Sequence, residues 1–478
     1  MSTLKKLAGQ TAIYGLSTIV ARLLNYVLVP LYTYNFPPSE YGVVIEIYAY
    51  ITFLNIVVTY GMETALFNFS SIESAKEKVY STALISLLVS TGVFLGITLM
   101  ASQGIARLVR HENHVDYIIY VVLIIGFDAL TAIPFAKLRE QNKAGRFAFI
   151  KTVNIIVNIA LNVFFIVICK NHWGYNNIGV GYIFISNLVA NLVVILFFIP
   201  EFVKVKYQFD FLLWKRMMKY ALPLLLAGLA GMTNETMDRI LLKYLLPAGI
   251  AEAEVGIYGA CYKISIILTI FIQTFKYAAE PFFFSNAKEK NSKVLYAQVM
   301  KYFVMCSLLI VLATLLNLSW IQFYVGKAFR AGMGVVKILL LANLCLGVFY
   351  NLSIWYKLTN KTRFGAYLTG MGALITLVLN FLLIPRLGYM GAAWATLICY
   401  GSMMVVSYLI GNKHYPVDYN LKGILGYFTL SLTLYLISKE LVPSNGTFAV
   451  FMNNILVLVY VLTIVFFERH SIKQYIKR

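Results

Sequence analysis

The sequence predicts an all-α polytopic membrane protein of fourteen transmembrane helices, and three observations carry that prediction. Of its 478 residues, 60% are hydrophobic and only 13% are charged, whereas a soluble protein is about 25% charged. Apolar runs of about twenty residues, long enough to cross a hydrocarbon layer of ~30 Å, recur along the whole chain. Lys and Arg residues cluster between these runs, which is typical of membrane topology.

Fourteen predicted spans follow one another, each an apolar run bounded by polar or charged residues. Lys5 and Lys6 precede the first run, as they would in a signal peptide, but the run continues to about Tyr34 without a small-residue cleavage site. The first run is therefore predicted to be a retained span. The approximate bounds of the spans are 9–34, 41–69, 79–100, 116–136, 148–169, 178–199, 218–245, 254–284, 300–325, 334–356, 365–384, 389–410, 421–438 and 447–467.

The positive charges orient these spans. With the N-terminus in the cytoplasm, most of the 40 Lys and Arg residues fall in predicted cytoplasmic segments, among them 137–151, 204–219 and 288–301. A wrong span count would invert half of the loops and remove this bias, so both termini are predicted to be cytoplasmic. Topology thus accounts for the net charge of +20, and no nucleic-acid partner is predicted. The five cysteines are scattered singly, which indicates no disulfide framework, metal site or other cofactor.

The chain also resembles itself, because three short segments return in the same order about 215 residues later. They are SEYGVV (39–44) as AEVGIY (253–258), the run 146–162 as 363–380, and NIGVGY (177–182) as YMGAAW (389–394). Each copy holds six spans, an even number, so both copies have the same orientation in the membrane. The predicted domains are an N-terminal six-helix lobe (1–199), a cytoplasmic interlobe linker (200–219), a C-terminal six-helix lobe (220–412) and two additional C-terminal helices (413–478).

Several segments carry a resemblance to a known family. They are GQTAIYGLSTIVARLLNYVLVPLYT in the first span, PPSEYG and GMETALFNF at the two ends of the second, IPFAKLREQNKAGRFAFIK after the fourth, and FKYAAEPFFF at the end of the eighth. Together they resemble the Wzx-type polysaccharide flippases of the multidrug/oligosaccharidyl-lipid/polysaccharide exporter superfamily, over essentially the whole chain.

The resemblance implies a fold, a substrate and partners. It implies a V-shaped, two-lobed protein with a central cationic cavity in a bacterial cytoplasmic membrane. The substrate would be an undecaprenyl-diphosphate-linked oligosaccharide, a repeat unit of O-antigen, capsule or exopolysaccharide, moved from the inner to the outer leaflet. Membrane lipids, a polysaccharide polymerase and a chain-length regulator would be its further partners, and a chain with two lobes is expected to act as a monomer.

Four cations within the spans are candidate substrate-binding residues, because a charge at the centre of a span costs about 2.5–3.5 kcal/mol and calls for a partner or a function. Arg22 lies near the middle of the first span, which the resemblance puts beside the central cleft, and its guanidinium suits bidentate contact with a diphosphate. A structural ion pair with Glu46 is the alternative reading of Arg22. The four candidates are Arg22, Arg239, Lys263 and Lys276.

The stretch LAGMTNETMDRILLKYLL (229–246) puts four charged residues in the seventh span. Glu235 and Asp238 are too short to snorkel to the interface and are predicted to face a hydrated cleft. Arg239 would balance them, bind substrate or snorkel, whereas Lys243 is predicted to lie at the outer rim. A helical Glu235–Arg239 pair would return only roughly 0.2–0.5 kcal/mol, too little to offset its insertion.

Five carboxylates are candidates for ion coupling or gating, and they would link transport to a proton or sodium gradient. Glu280 has helical (i, i+4) spacing to Lys276, which suits either a structural pair or a gate. Glu63, at the cytoplasmic end of the second span, would form a latch between the lobes. The five are Glu46, Glu63, Glu235, Asp238 and Glu280.

Two other functions compete with the flippase. A cation-coupled multidrug exporter of the same superfamily would need an acidic cavity for its lipophilic cations, yet the first span carries Arg22 and no carboxylate between Ala8 and Tyr34. A membrane-embedded glycosyltransferase or polymerase would need outer catalytic groups, and the predicted outer loops are short. No Walker A segment, nucleophile elbow or dinucleotide loop occurs in the sequence. The chain is therefore predicted to be a transporter and not an enzyme, with the drug exporter as the alternative.

Overall fold

The computed structural model describes residues 26–73, 75–172, 179–287, 289, 291–443 and 446–476, without the side chains at 171, 172, 281 and 470–476. All regular secondary structure within these residues is helical. The chain forms two compact units, Met1–Gly259 and Ala260–Arg478. The division between the units falls inside one long helix, Ala248–Ser285.

The first unit is built around helix α6, which packs on both α4 and α8, and around α2, which packs along α9. Helix α1 is described at residues 26–35. The helices that follow are α2 (Pro38–Thr59), α3 (Met62–Ile72), α4 (Lys76–Met100), α5 (Ser102–Leu108), α6 (Val115–Glu140), α7 (Ala144–Val163, continued by the π-helical stretch Phe164–His172), α8 (Gly181–Lys204), α9 (Phe211–Leu245) and the start of α10 (Ala248–Ser285).

In the second unit α16 packs against both α13 and α15, and α11 packs against α17 and α18. After α10 the chain forms α11 (Ser292–Leu316) and α12 (Leu318–Ile321). Two 3₁₀ turns, Gln322–Tyr324 and Lys327–Gly332, come before α13 (Met333–Leu352). The remaining helices are α14 (Ile354–Leu358), α15 (Arg363–Leu387), α16 (Tyr389–His414), α17 (Leu421–Leu441) and α18 (Thr447–Ile476).

The helices confirm the all-α polytopic prediction. Among the described residues, 12 helical segments are long and apolar enough to cross a membrane, and they correspond to predicted spans two to six and eight to fourteen. Predicted span seven is α9, a helix of 35 residues that is less apolar because of its charged residues, which lie in its first turns and in the stretch 235–243. Predicted span one lies mostly outside the described residues, and α1 is its described end.

The predicted second span is broken into two helices. Tyr60 and Gly61, between α2 and α3, have positive φ angles of 35° and 71°, and a right-handed helix cannot continue through such residues. A Cβ atom on Gly61 would lie 3.1 Å from the carbonyl oxygen of Ala221 in α9. The break therefore combines a glycine conformation with a close approach of α9.

The predicted linker, 200–219, is mostly helical, which corrects its bounds. Helix α8 runs past Pro200 to Lys204, and α9 begins at Phe211. Asp210 explains that start, because its Oδ1 accepts a hydrogen bond from the Leu213 amide at 2.9 Å and so caps the helix. Its Oδ2 lies 2.7 Å from Lys78 Nζ. The bounds of the two lobes stay a prediction based on the repeat.

The repeated segments lie at or close to the beginnings of helices. SEYGVV and AEVGIY open α2 and the early turns of α10, the second pair opens α7 and α15, and the third opens α8 and α16. Equivalent segments of sequence therefore form equivalent helix starts, as two copies of one six-span unit require.

Candidate functional site

Four ionisable side chains from four segments of the first unit meet in a buried group, called here the charge cluster: Glu46, His111, Lys243 and Glu252. Lys243 Nζ lies 2.7 Å from Glu46 Oε2 and 2.7 Å from His111 Nε2. Glu252 Oε1 is more distant, 3.8 Å from Lys243 Nζ and 3.9 Å from His111 Nδ1. The cluster thus combines two carboxylates, one ammonium and one imidazole.

The charge cluster is shielded from its surroundings. Glu46 is 1% exposed, Lys243 2% and His111 6%, and ionic groups so buried persist only when paired and hydrogen-bonded. Lys243 donates to Glu46 Oε2, and His111 Nε2 lies within hydrogen-bond distance of both of these groups, 2.7 Å from Lys243 Nζ and 3.1 Å from Glu46 Oε2.

The local structure around each residue explains how the cluster forms. Lys243 lies in the last turn of α9, where the helix dipole favours a cation. Glu46 lies on α2, which packs along α9. His111 follows Arg110, a residue with a φ of 58° that turns the chain after α5, and its amide donates to the Ala106 carbonyl at 2.8 Å. Glu252 lies near the start of α10, immediately before the repeated segment that begins at Ala253.

Aromatic hydroxyls extend this polar region by one helical turn. Tyr50, four residues beyond Glu46 on α2, has its hydroxyl 2.9 Å from that of Tyr244. The Arg110 guanidinium lies 5.2 Å from the centre of the Tyr244 ring. The segment before α6 and the end of α9 are therefore joined by more than the charge cluster alone.

Beside the charge cluster, α2 and α10 touch backbone to backbone through Gly42 and Gly256. A Cβ atom on Gly42 would lie 1.8 Å from the carbonyl oxygen of Glu252, and one on Gly256 would lie 2.0 Å from that of Pro38. Both distances are impossible for real atoms, so no side chain fits at either position. Gly42 and Gly256 are equivalent positions of SEYGVV and AEVGIY, which means that the two repeat copies meet at matching residues.

Two predictions for the seventh span are wrong. Lys243 does not lie at a rim, because Glu46 and His111 provide partners inside the fold. Asp238 does not face a hydrated cleft, since it is 3% exposed and its Oδ2 accepts a hydrogen bond from the Tyr258 hydroxyl at 2.5 Å. Its Oδ1 accepts from the amide of Arg239 at 2.8 Å.

The other charges on α9 and α10 are more accessible. Glu235 is exposed and makes no hydrogen bond or ion pair within the described part of the chain, so the (i, i+4) pair with Arg239 does not form. Arg239 and Lys263 are half-buried. Arg22 lies outside the described residues. Its alternative partner, Glu46, uses Oε2 for Lys243, while Oε1 has no hydrogen-bond partner among the residues described.

Two further pairings differ from the predicted ones. Glu63 accepts a hydrogen bond from Arg139 of α6, so its partner lies in the same unit and the expected latch between lobes is wrong. Glu280 Oε1 accepts from Lys357 Nζ at 2.7 Å and not from Lys276. Lys276 Nζ instead lies 4.8 Å from the centre of the Tyr350 ring.

Sequence reasoning missed several of these groups, for different reasons. Asp128 of α6 accepts hydrogen bonds from Asn55 at 3.2 Å and from Asn191 at 2.9 Å. It could have been found, because a carboxylate within a predicted span is itself a signal. His111 lies in a short polar loop, and no pattern in the sequence connects it with Lys243. Among the described residues, no group of three or more His, Cys, Asp or Glu side chains could hold a metal ion.

A bundle of this kind, made of long apolar helices, is that of a polytopic membrane protein. The chain belongs to the polysaccharide biosynthesis protein family, whose profile matches residues 7–287, more than half of its length. It is also 23% identical over 404 residues to an uncharacterized membrane protein of Haemophilus influenzae, a match that covers 81% of this chain and 94% of that protein.

Solved structures share the fold. The inward closed conformation of the lipid II flippase MurJ matches with a TM-score of 0.76 at 16% identity, over 96% of this chain and 99% of that one. The inward-facing conformation of a multidrug resistance MATE family transporter of the MOP superfamily matches with a TM-score of 0.66 at 14% identity, over 84% of this chain and 94% of that one. The fold of the chain is therefore the one that these solved structures of a flippase and a transporter have.

Proposed function

We propose that the protein moves an undecaprenyl-diphosphate-linked oligosaccharide, a repeat unit of a bacterial polysaccharide, across the cytoplasmic membrane by alternating access. Membership of the polysaccharide biosynthesis family supports a glycan substrate. The fold shared with a lipid II flippase supports a lipid-linked form of it. The observation that carries the proposal is the charge cluster, since it ties together helices of both predicted repeat copies.

The cluster works as a closure for one end of the pathway. Glu46 belongs to the first predicted copy, whereas Lys243 and Glu252 belong to the second, and the Gly42–Gly256 contact lies between the same copies. Closing this end removes the charges from water and brings two helix backbones together. Opening it separates Lys243 from Glu46, and water then solvates both groups. The closed state gains the buried ion pairs, and the open state gains the hydration of the same charges. The two states therefore differ little in free energy, as alternating access requires.

The substrate's own charge suggests where it is held. A diphosphate bears negative charge, and Arg22, Arg239 and Lys263 are the cations that the proposal assigns to it, with Arg22 making bidentate contacts. Glu235, which is exposed, then keeps the pathway from binding anions too tightly to release. A proton gradient is the favoured energy source over a sodium gradient, because Lys243 already occupies the place between Glu46 and Glu252 that a metal cation would take.

Location and partners follow from the same proposal. The protein would reside in the bacterial cytoplasmic membrane as a monomer with both termini in the cytoplasm, where most of its Lys and Arg residues would lie. A polysaccharide polymerase and a chain-length regulator would receive the flipped unit on the outer side.

The test is a flipping assay in proteoliposomes. Undecaprenyl-diphosphate oligosaccharide starts accessible on one face, and its loss of accessibility to a non-permeant sugar-modifying enzyme is followed with and without an imposed proton or sodium gradient. Wild type is expected to move the lipid, faster with the proton gradient, and Arg22→Gln is expected to slow it at least tenfold at equal protein content. Lys361→Gln, which removes an exposed cation, is the matched control.

Two results would count against the proposal. If wild type leaves the lipid in place but extrudes a cationic dye under an ion gradient, the protein is a drug exporter of the same superfamily. If glycan bonds form in the vesicles without added enzyme, the protein has catalytic activity.

A further inference from the structure

A cleft lies in the second unit, between the C-terminal part of α10 and the end of α13 with α14. Its polar lining comes from Lys276, Glu280, Tyr350, Asn351 and Lys357. The apolar lining includes Ile272, Phe275 and Phe283. The cleft is thus amphipathic, with a charged part beside an aromatic and aliphatic wall, as in pockets that orient a ligand by a few polar groups.

The charges in the cleft do not balance. Lys357 donates to Glu280 at 2.7 Å, which neutralises one cation. Lys276 makes no hydrogen bond or ion pair to another described residue, and its Nζ lies 4.8 Å from the centre of the Tyr350 ring. One uncompensated positive charge therefore remains beside an apolar wall.

An unpartnered donor points to the same kind of ligand. Asn351 is 4% exposed, and its Nδ2 has no hydrogen-bond partner among the described residues. A buried amide nitrogen without an acceptor costs about 1–3 kcal/mol, which an acceptor in the cleft would recover. The groups that lack a partner are thus a cation and an N–H donor, and both are suited to an oxyanion.

We propose that this cleft binds the diphosphate group of a prenyl diphosphate lipid, with the first prenyl unit against Phe275 and Phe283. The choice of a prenyl diphosphate rests on the proposed function. The anion site itself rests on the lining of the cleft. Phosphate oxygens accept from Lys276, Lys357 and Asn351, and charge-assisted bonds of this kind are the strong ones. The cleft is separate from the charge cluster, which lies in the first unit.

Glu280 acts as an internal competitor in this site. In the empty cleft it holds Lys357, and an arriving diphosphate must displace it to gain that ammonium group. Removing the Glu280 charge therefore frees Lys357 for the ligand and tightens binding, whereas removing either lysine weakens it. A merely structural Lys357–Glu280 pair predicts otherwise, because loss of either partner would then destabilise the fold and leave ligand affinity unchanged.

The experiment measures farnesyl diphosphate binding to the purified full-length protein in nanodiscs of neutral lipid, by titration calorimetry. Lys276→Gln and Lys357→Gln are expected to weaken binding roughly tenfold or more, since each removes a charge-assisted hydrogen bond, and Glu280→Gln is expected to tighten it several-fold. Lys361→Gln is the control for net charge, because Lys361 is exposed and outside the cleft lining. Thermal unfolding of each variant reports folding separately, and Lys276→Gln removes no ion pair.

Competitors identify the source of the phosphate. Farnesol is expected not to compete, and inorganic diphosphate is expected to compete more weakly than farnesyl diphosphate because it lacks the prenyl chain. Equal competition by phosphatidylglycerol would overturn the diphosphate assignment in favour of general anionic lipid. Unchanged affinity in both lysine variants, or a loss in Glu280→Gln equal to that in Lys357→Gln, would overturn the site.

Binding and transport can fail independently. If the variants change binding as expected but no flipping occurs in proteoliposomes, the site is supported and the proposed function is contradicted. If wild type flips the lipid but the variants leave binding unchanged, the proposed function is supported and the site is contradicted.

Discussion

Lys243 is a cation that a lipid environment would drive towards the interface, yet it is buried against Glu46 and His111. Its ammonium group is satisfied at 2.7 Å by both partners, so the desolvation cost is offset by short hydrogen bonds. A buried pair of this kind contributes little net stability compared with apolar residues of similar size. The loss of one partner is far more costly than the loss of both, because it leaves a lone buried charge.

This asymmetry gives the first prediction at the scale of single residues. Lys243→Met is expected to lower the free energy of unfolding by about 3–5 kcal/mol, because Glu46 stays buried without its cation. The double variant Glu46→Leu/Lys243→Met is expected to recover most of that loss. Thermal unfolding of the purified variants in detergent measures both, with Lys215→Met, an exposed cation on the same helix, as the control. A double variant no more stable than Lys243→Met alone would contradict the buried pair.

The second prediction concerns Asp210, which lies just before α9. The hydrogen bond from the Leu213 amide and the neighbouring Lys78 ammonium lower the pKa of its carboxyl below the usual value. A lowered folded-state pKa contributes stability that is present above the unfolded value of about 3.9 and is lost as the pH falls through the folded value. The Asp210 carboxylate is thus expected to protect the first turn of α9 at neutral pH and not in acid.

Amide hydrogen exchange at residues 211–216 measures this effect. Asp210→Asn keeps a capping side chain but loses the charge, so the ratio of its exchange rate to that of wild type is expected to be largest at neutral pH. The ratio is expected to approach one only as the pH falls through the lowered folded-state pKa, where the wild-type carboxyl takes up its proton. A ratio that does not change with pH would assign the cap to hydrogen-bond geometry alone.

At the scale of helices, the contact of α2 with α10 depends on two residues that have no side chain. Gly42 and Gly256 let the two backbones touch, and the Glu252 carbonyl occupies the space where a Cβ atom on Gly42 would lie. The neighbouring Gly259 is similar, since a Cβ atom there would lie 2.6 Å from Ile45 Cγ1. Small residues at helix contacts are typical of membrane proteins, because dispersion and close packing replace the hydrophobic effect there.

Adding one methyl group to this contact is therefore expected to keep the helices apart. Gly42→Ala and Gly256→Ala are each expected to raise hydrogen exchange in residues 38–47 and 248–258 and to slow flipping at least tenfold, because the end bearing the charge cluster can no longer close. Gly249→Ala on the same α10 is the control, since nothing lies within 4 Å of its added Cβ atom. Exchange in Gly42→Ala as slow as in wild type would show that the contact tolerates a side chain.

At the scale of the whole molecule, the chain is a polytopic membrane protein of the polysaccharide biosynthesis protein family. The compact units do not follow the predicted lobes, because the first unit ends after Gly259 and so includes α9, which the repeat assigns to the second copy. The charge cluster and the Gly42–Gly256 contact are the physical reason, since they bind α9 and the start of α10 to α2. The flipping assay tests the proposed function at the scale of the whole molecule, because only the intact chain can move a lipid across a bilayer.

The sequence by itself determined the all-helical membrane class and the order of the described spans, and it predicts the repeat. Each of these can be derived from consecutive residues, because the length of an apolar run and the position of a glycine are properties of a single stretch of chain. It also singled out Glu46 and Asp238 as costly intramembrane charges, but it did not predict that Lys243 pairs with Glu46 or that Tyr258 donates to Asp238. The sequence did not predict two helix boundaries, the break at Tyr60 and Gly61 and the short linker before Asp210. Both depend on where α9 begins and on how it packs.

Only the tertiary structure decided which charges meet. Lys243 pairs with Glu46, 197 residues away in sequence. His111 joins them from a loop in which no sequence pattern predicts the contact. Lys357 takes the carboxylate that helical spacing offered to Lys276. An ion pair in a membrane protein depends on the distance between two atoms on separate helices, and that distance is set by helix packing rather than by the neighbours of either residue in the chain.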